Sequence, residues 1–285
     1  MKTQCQTIRV VAALAAILVV SALGSSRAAG QYIITEIIDA TGDGAGNLLT
    51  GPRGIAADAA GNAFVTGEGS NNAFKITPAG LITEIIDGAG NGLVLTNSVA
   101  VDGAGNAYVT GEGSNNAFKI TPAGVITEII DGGDGLAGPR GIAVDAAGNA
   151  YVAGTGSNNV FKIPPAGFIT EIIDTSGDGA GNSLLNPFGI AADAAGNVYV
   201  TGLSSINAFK ITPAGAITQI IDTSGDGAGN SLLNPFGIAA DAAGNVYVTG
   251  LSSINAFKIT PAGAITQIID TSGDGAGNSL LNPFG

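Results

Sequence analysis

Short runs of β-branched, aromatic and aliphatic residues, separated by turn residues, recur along most of the chain. Residues 141–174 show the pattern in full, with the four apolar runs GIAVD, AYVAG, VFKI and FITEII. AAGN separates the first two runs and PPAG the last two, and in sister copies the second turn reads TPAG. Runs of this composition favour strands, and Asn, Pro and Gly favour tight turns. The unit therefore predicts two hairpins in series, a four-stranded antiparallel meander.

This unit is repeated, which predicts the architecture. Copies begin at Gly54, Ser98, Gly141, Gly189 and Gly237, with spacings of 44, 43, 48 and 48 residues. A four-stranded unit of about 40–50 residues is typical of a β-propeller blade. A β-solenoid is the weaker alternative, because its coils lack tight hairpins within each repeat. We therefore predict an all-β fold, a β-propeller of four-stranded antiparallel blades at about residues 54–87, 98–131, 141–174, 189–222 and 237–270.

The ends of the repeat array leave the number of blades open. The run QYIITEIID at residues 31–39 matches only the last strand of the unit, so we predict an orphan outer strand beside five full blades. The tail NPFG at residues 282–285 matches the start of a further blade. If the native ring has six or more blades, these residues are a fragment of it. The alternatives are a five-blade ring with residues 31–53 outside it, or an open arc that self-associates through wet apolar faces.

Two stretches of the unit resemble known propeller families. The run GIAVDAAGNAYVAG resembles NHL repeats, which read GIAVDxxGNxYV, and NNVFKIPPAGFITE resembles the RITPDGxITE run of propellers related to streptogramin (virginiamycin B) lyases. The resemblance covers about residues 31–285 and implies the fold, whereas such propellers serve many functions. The lyases use a catalytic His with a carboxylate and a divalent metal. This chain has no His, so that role cannot be transferred, and the lack of both Trp and His excludes WD repeats.

The first 28 residues have the pattern of a secretory signal peptide. Lys2 and Arg9 give a positive start, residues 10–24 are apolar, and Ser26 and Ala28 are small residues suited to cleavage. An apolar run of about 15 residues is short for a membrane-spanning helix. We predict a signal peptide at 1–28 and a propeller domain at 29–285, secreted, periplasmic or on the cell surface, without membrane association after cleavage.

Composition narrows the partners and the chemistry. The formal charge of −12 becomes −15 when the three basic residues of the predicted signal are removed, so the chain repels phosphate backbones and nucleic acid is excluded as a partner. Cys5 is the only cysteine and lies in the predicted signal. We therefore expect no disulfide, thiol nucleophile or thiolate metal site in the mature chain.

Two sets of loops are expected on one face of a propeller, around its axis. They are the loops between the second and third strands of each blade and the connections between blades, and the resemblance implies that ligands bind there. The candidate ligand-binding residues are Glu68, Asn72, Glu112, Asn116, Thr155, Asn159, Leu203, Ile206, Leu251 and Ile254. The expected partner is an unidentified protein or glycan.

The connections also contain the single metal motif that we considered. The run DTSGDGAGN at residues 174–182 places Asp and Asn oxygens among glycines, which suits Ca²⁺, although the spacing differs from an EF-hand loop and no bidentate Glu follows. The candidate calcium ligands are Asp174, Asp178, Asn182, Asp226 and Asn230. Solvated turns are the preferred interpretation, and no other cofactor is expected.

Recurring residues within the blades suggest structural roles. We predict that the Lys of each third strand pairs with a Glu or Gln of the fourth strand, as with Lys75 and Glu84. The Asp that ends each first strand is expected to form a turn. We assign Phe64, Tyr108, Tyr151, Tyr199 and Tyr247, which share one slot, to the core between blades.

These observations favour an exported, non-enzymatic propeller that acts as a binding or interaction scaffold. Glu68 and Glu112 are the carboxylates considered as acids or bases, but the sequence contains no catalytic constellation around them. A metal-dependent lyase or hydrolase on the same fold and a calcium-stabilised surface repeat protein remain the alternatives.

Overall fold

A computed structural model describes residues 35–274 and 278–283 and confirms the all-β propeller. Twenty strands form five antiparallel sheets, each built from four strands in chain order. A four-residue helix α1 (Gly88–Asn91) and a 3-10 turn (Gly132–Asp134) lie in connections between sheets. Among the described residues, no helix is long and apolar enough to span a bilayer. The predicted signal peptide at 1–28 lies outside the described residues.

Each blade contains an inner, a second, a third and an outer strand. Blade 1 contains β1 (Pro52–Ala57), β2 (Ala63–Gly67), β3 (Asn72–Ile76) and β4 (Ile82–Ile86). Blade 2 contains β5 (Thr96–Val101), β6 (Ala107–Gly111), β7 (Asn116–Ile120) and β8 (Ile126–Ile130). Blade 3 contains β9 (Pro139–Val144), β10 (Ala150–Gly154), β11 (Asn159–Ile163) and β12 (Thr170–Ile173). Blade 4 contains β13 (Pro187–Ala192), β14 (Val198–Gly202), β15 (Asn207–Ile211) and β16 (Ile217–Ile221). Blade 5 contains β17 (Pro235–Ala240), β18 (Val246–Gly250), β19 (Asn255–Ile259) and β20 (Ile265–Ile269).

Each sheet begins two residues before the blade boundary expected from the repeat pattern and ends one residue before it. The inner strand starts early because its first residue is opposite the glycine that ends the second strand, as Pro139 is opposite Gly154. This shift matters for the site, because the second residue of each inner strand was not assigned to a blade by the pattern.

Neighbouring inner strands approach each other closely around one channel. A Cβ on Gly141 would lie 2.3 Å from the Phe188 carbonyl oxygen of the next blade, so only glycine fits there. A threonine of the second strand bridges the same gap. Thr201 Oγ1 accepts from the amide of Gly189 at 2.9 Å and donates to the carbonyl of Phe236 in the next blade at 3.2 Å.

The core lies between blades rather than within a single sheet. In the interface between blades 3 and 4, Tyr151, Ile173 and the connection residue Leu184 from one side meet Val200 and Phe209 from the other. Each of these residues is at most 4% exposed. The interfaces between the other neighbouring blades are built in the same way, so each blade is stabilised by burial against its neighbours.

The turns between first and second strands are formed as the sequence indicated. Asp145 Oδ1 accepts from the amides of Ala147 and Asn149, both at 2.9 Å, and Oδ2 accepts from the Tyr151 hydroxyl at 2.8 Å. Burial opposes ionisation of Asp145, but these hydrogen bonds, with that from the Asn149 side chain, lower its pKa below the ordinary value. The same hydroxyl bond and burial raise the pKa of Tyr151.

The expected pairing of Lys with Glu on the outer strand is wrong. Lys75 is opposite Thr83, and its Nζ lies 5.8 Å from the centre of the Phe64 ring. Glu84 instead accepts a hydrogen bond from Asn72 Nδ2 at 2.7 Å. The regular register of the hairpin places Glu84 opposite Phe74, so its carboxylate lies on the face of the sheet opposite to Lys75 and on the same face as Asn72.

The five blades form an open arc. The inner strands pack side by side in the order β1, β5, β9, β13 and β17, but within the described residues β17 and β1 lack the extensive contact that joins the other neighbours. The apolar residues of the blades beside the gap are correspondingly more exposed to solvent. Ile55 of blade 1 is 37% exposed, whereas Val99, in the same position of blade 2, is 6% exposed.

The predicted orphan strand is not a strand over its described part. Residues 35–39 belong to no sheet, and residues 31–34 lie outside the described residues. A strand needs a partner edge, and no third strand of a preceding blade is present beside this segment among the described residues. Its packing nevertheless matches that of an outer strand. Ile38 and Leu49 cover Val65 and Phe74 of blade 1, as Ile86 and Leu93 cover Val109 and Phe118 of blade 2.

On the other side of the gap, blade 5 exposes a surface that is buried in every other blade. Tyr247 and Ile269 are half-buried, although Tyr199 and Ile221 have the same sequence neighbours in blade 4 and are 2% and 3% exposed. The assignment to the core is therefore correct for the four aromatic residues of blades 1–4 and wrong for Tyr247. The physical reason is that, within the part of the chain that the structure describes, no further blade packs against this side of blade 5.

This difference predicts unequal effects of one substitution at two matched positions. Tyr199→Ala should lower the free energy of unfolding by about 3–5 kcal/mol, because it leaves a cavity between blades 4 and 5. Tyr247→Ala should lower the free energy of unfolding by less than about half of that amount, because its side chain is already partly exposed to solvent. Chemical denaturation of both variants checks this, and equal losses would show that the blade 5 surface is covered in solution.

Candidate functional site

One end of the channel is built from the two sets of loops expected there. In each blade, the loop between the second and third strands is hydrogen-bonded to the connection that enters the same blade. The amides of Glu68 and Gly69 donate to the carbonyls of Gly51 and Thr50 at 2.9 and 3.0 Å. The same two bonds recur in the other four blades. These hydrogen bonds hold each loop against the connection that leads into the inner strand. We call the surface that the loops and connections form at this end of the channel the upper face.

Two residues from every blade surround the channel opening on the upper face. One is the second residue of the inner strand and the other is the first residue of the loop between the second and third strands. The first group is Arg53, Asn97, Arg140, Phe188 and Phe236, and the second group is Glu68, Glu112, Thr155, Leu203 and Leu251. We call these ten residues the mouth ring. The first group lines a cavity of about 310 Å³ together with the glycines and aliphatic residues of the inner strands.

Blades 1–3 give the mouth ring a polar arc. The Arg53 guanidinium donates to both carboxylate oxygens of Glu68, at 2.8 and 3.0 Å. Arg140 reaches back to the preceding blade and donates to Glu112 at 2.9 and 2.6 Å. Asn97 donates to the other oxygen of Glu112 at 2.9 Å. The charged groups are therefore mutually neutralised and held in place, with the outer parts of both arginines exposed.

Blades 4 and 5 give the mouth ring an apolar arc. The rings of Phe188 and Phe236 have centroids 3.9 Å apart and planes tilted by 40°. Leu203 and Leu251 take the places that Glu68 and Glu112 have in the polar arc. Arg140 joins the two arcs, because its Cζ lies 5.4 Å from the centre of the Phe188 ring, within cation–π range.

The structure divides the predicted ligand-binding residues into three groups. Glu68, Glu112, Thr155, Leu203 and Leu251 lie in the mouth ring, and Ile206 and Ile254 lie at the tips of the same loops. The placement of Asn72, Asn116 and Asn159 on the binding surface is wrong, because all three are buried. Asn72, for example, accepts from Ser70 and donates to Leu48 and Glu84, so it braces the loop from inside.

The inner-strand half of the mouth ring was not predicted from the repeat pattern. Arg53, Asn97, Arg140, Phe188 and Phe236 each lie one residue before the predicted start of a blade, and the repeat comparison excluded them for this reason. Aligning the connections PRG, TNS, PRG, PFG and PFG would have found the position, since it is variable among residues that are otherwise repeated. Variation at a fixed place in a repeat favours a surface role over a role in packing.

Two loop tips carry a backbone conformation that disfavours their side chains. Ile206 and Ile254 have φ of +53° and +52°, a left-handed region that β-branched residues rarely adopt. The same turn position holds Asn71, Asn115 and Asn158 in blades 1–3, and asparagine tolerates this conformation. Asn158 Oδ1 also accepts from the amide of Asn186 in the next connection at 2.8 Å. Isoleucine cannot make that bond.

Replacing the strained residue should therefore stabilise the protein. Ile206→Asn should raise the free energy of unfolding by about 1–2 kcal/mol, from relief of the left-handed strain and a new bond to the Asn234 amide. Asn158→Ile is the reverse control and should lower it by a similar amount. Thermal unfolding of the two variants checks this, and a loss of stability in Ile206→Asn would show that packing of Ile206 outweighs its strain.

The candidate calcium residues form turns that satisfy their own carboxylates. Asp174 Oδ1 accepts from the amide and hydroxyl of Ser176 at 2.8 and 2.5 Å. Asp178 Oδ1 accepts from the Ala180 amide at 2.9 Å, and Oδ2 accepts from Asn182 Nδ2 at 2.7 Å. Asp226 repeats the arrangement with Ala228 and Asn230. The arrangement corresponds to the solvated-turn interpretation rather than to a converging set of ligands.

Hydrogen bonds lower the pKa of these aspartates below the ordinary value. Hydrogen bonds from Asn182 and from the Ala180 amide hold the pKa of Asp178 below its ordinary value, and equivalent bonds do the same for Asp226. Within the described residues, no group of three or more Asp, Glu, His or Cys side chains is placed to hold a metal ion. The aspartates of the connections thus carry negative charge on the upper face, and their described side chains do not converge on one point.

Structural comparisons find propellers of modest sequence identity. Virginiamycin B lyase from Staphylococcus aureus matches with a TM-score of 0.64 and 22% identity over 77% of this chain and 70% of the lyase. A catalytically inactive histidine-to-alanine variant of a virginiamycin B lyase from that organism, in complex with quinupristin, matches with a TM-score of 0.50 and 18% identity over 76% and 84%. A gluconolactonase from Xanthomonas campestris matches with a TM-score of 0.57 and 15% identity over 80% and 78%.

The radial sheets and the loop-lined channel define the class of protein as a β-propeller. Within that class, the family of SBBP beta-propeller repeats matches residues 85–119, 127–162, 168–210 and 217–258, which is more than half of the chain. The chain therefore belongs to the SBBP beta-propeller repeat family. No curated protein sequence matches the chain.

Proposed function

We propose that this protein is an exported, non-enzymatic binding module that holds its ligand across the mouth ring. The observation that carries the proposal is the division of one opening into a polar and an apolar arc. Ligand sites combine apolar surface with a few fixed polar groups, and the cavity of about 310 Å³ at the opening is at the small end of such sites. Export rests on the signal-like residues 1–28.

The polar arc favours binding over catalysis. Arg53 donates to both carboxylate oxygens of Glu68. The two oxygens of Glu112 accept from Arg140 and Asn97, so the oxygens that a general base would use are already occupied by hydrogen bonds. The lyase that shares this fold is inactive when a histidine is replaced by alanine, and this chain contains no histidine. The mouth ring thus supports recognition by shape, fixed charge and aromatic surface.

The apolar arc supplies the contact surface. Phe188 and Phe236 are half-buried and their rings contact each other at a tilt of 40°, and Leu203 and Leu251 in the loops of the same blades are also half-buried. Aromatic side chains held in place lose little conformational entropy when a ligand binds, which is why they are frequent at binding hot spots. Arg140, at the junction, offers both a charged group and a flat surface beside Phe188.

Selection from a random peptide library tests the proposal without assuming a particular ligand sequence. Peptides selected on the wild-type protein should lose at least about tenfold in affinity for the Phe188→Ala, Phe236→Ala double variant. Phe168→Ala is the matched control and should leave affinity unchanged, because Phe168 is 79% exposed in a turn at the opposite end of its blade. Unfolding curves confirm that the variants remain folded.

Two results would contradict the proposal. Selected peptides that bind the Phe188→Ala, Phe236→Ala double variant as tightly as the wild type would place recognition elsewhere. Turnover of a streptogramin or of gluconolactone by the purified wild-type protein, lost in the double variant and absent from a boiled sample, would make the mouth ring an active site instead.

A further inference from the structure

The apolar arc widens on the upper face beyond the channel opening. Leu185 and Leu233, in the connections that enter blades 4 and 5, are 37% and 40% exposed. Each accepts through its carbonyl from the loop that carries the mouth-ring leucine, so Leu185 lies beside Leu203 and Leu233 lies beside Leu251. With Phe188 and Phe236, these residues form one apolar sector that extends over two adjacent blades.

The apolar sector is bordered by carboxylates that have no basic partner in their own connections. Asp174 and Asp178 precede Leu185, and Asp222 and Asp226 precede Leu233, at the same spacing. The residues of these two connections include no Lys or Arg. Arg53 and Arg140, the arginines of the mouth ring, are both paired with glutamates. Each of the two connections therefore carries both an exposed leucine and carboxylates without a basic partner.

The strained loop tips give an independent indication of function. Blades 4 and 5 place isoleucine where blades 1–3 place asparagine, at the cost of left-handed strain and of a hydrogen bond to the next connection. Strained backbone of this kind concentrates at functional sites. Both isoleucines lie on the upper face beside the apolar sector, where an apolar side chain extends the contact surface and an asparagine would not.

We infer that the ligand is a peptide segment that carries both basic and large apolar side chains, which lies on the apolar sector. This rests on the proposed function and names the partner class of the same site. Leucine or phenylalanine side chains of the peptide contact Phe188, Phe236 and their neighbouring leucines, and lysines face the aspartates of the connections. Such a peptide matches the sector in both respects, because the connections that contribute its leucines also carry carboxylates without a basic partner.

Binding of three labelled synthetic peptides tests the inference by fluorescence anisotropy. One alternates Lys with Leu, the second alternates Glu with Leu, and the third alternates Lys with Ser. The Lys–Leu peptide should bind at least about tenfold more tightly than either of the others, because each of them lacks one of the two matching features. Its affinity should fall as salt is added, since exposed charge pairs are screened.

Variants of the protein test whether the Lys–Leu peptide binds at the apolar sector. Phe188→Ala with Phe236→Ala should weaken the Lys–Leu peptide at least about tenfold. Asp226→Asn should weaken it severalfold and reduce the salt dependence. Asp241→Asn is the matched control, because it removes the same charge from a similar exposed turn at the opposite end of blade 5 and should change neither quantity.

The outcomes separate this inference from the proposed function. If library peptides bind at Phe188 and Phe236 but the Lys–Leu peptide does not, the partner class is wrong and the binding function stands. If neither binds there, both are wrong. Equal binding of the Glu–Leu or Lys–Ser peptide would overturn the inference, and so would concentration-dependent dimers that disappear in the double phenylalanine variant, since a second copy would then occupy the sector.

Discussion

The arc depends on how closely its inner strands approach one another. Where Gly141 and Gly189 face the next blade, an added Cβ would lie 2.3 and 2.4 Å from a backbone carbonyl oxygen, so any larger residue would force the blades apart. Thr66 and Thr201 bridge the same gap, each joining the backbone of its own inner strand to the carbonyl of the next. This spacing brings the inner-strand residues of five blades to one opening. The mouth ring follows from it, because its arginines and phenylalanines lie directly before these glycines.

Much of the fold was readable from local chemistry because each blade repeats the same short-range rules. The alternation of apolar runs with Gly, Pro and Asn turns predicted the four-stranded sheets, and the Asp of each first strand forms the turn that its side chain favours. Tyrosines 108, 151 and 199 are buried as expected, because their environment is another copy of the same repeat. The burial of such residues is determined by their sequence neighbours and by the next blade alone.

Other features depend on register and on the end of the array, which the repeat does not encode. Glu84 is opposite Phe74 rather than Lys75, which places its carboxylate on the face of Asn72, and composition does not predict that register. Tyr247 has the same sequence neighbours as Tyr199, but no further blade packs against it among the described residues. The inner half of the candidate site was missed for a related reason: Phe188 and Phe236 fall in stretches that the strand pattern treats as loops, yet each directly follows the proline that begins the pairing of its sheet.

The identity of blades 4 and 5 has a consequence for folding. From Ile172 onward every residue equals the one 48 positions later, so β20 carries the same pairing information as β16. A chain that closed blade 4 with β20 would satisfy the same local hydrogen bonds and leave the intervening 48 residues as a loop. Such a loop costs little additional closure entropy. The native order is favoured because the shortcut forfeits the strand pairing of blade 5 as well as the apolar interface between blades 4 and 5. Capture of β20 by blade 4 is therefore a trap of early refolding, before blade 5 and the interface around Tyr199 and Phe257 have formed.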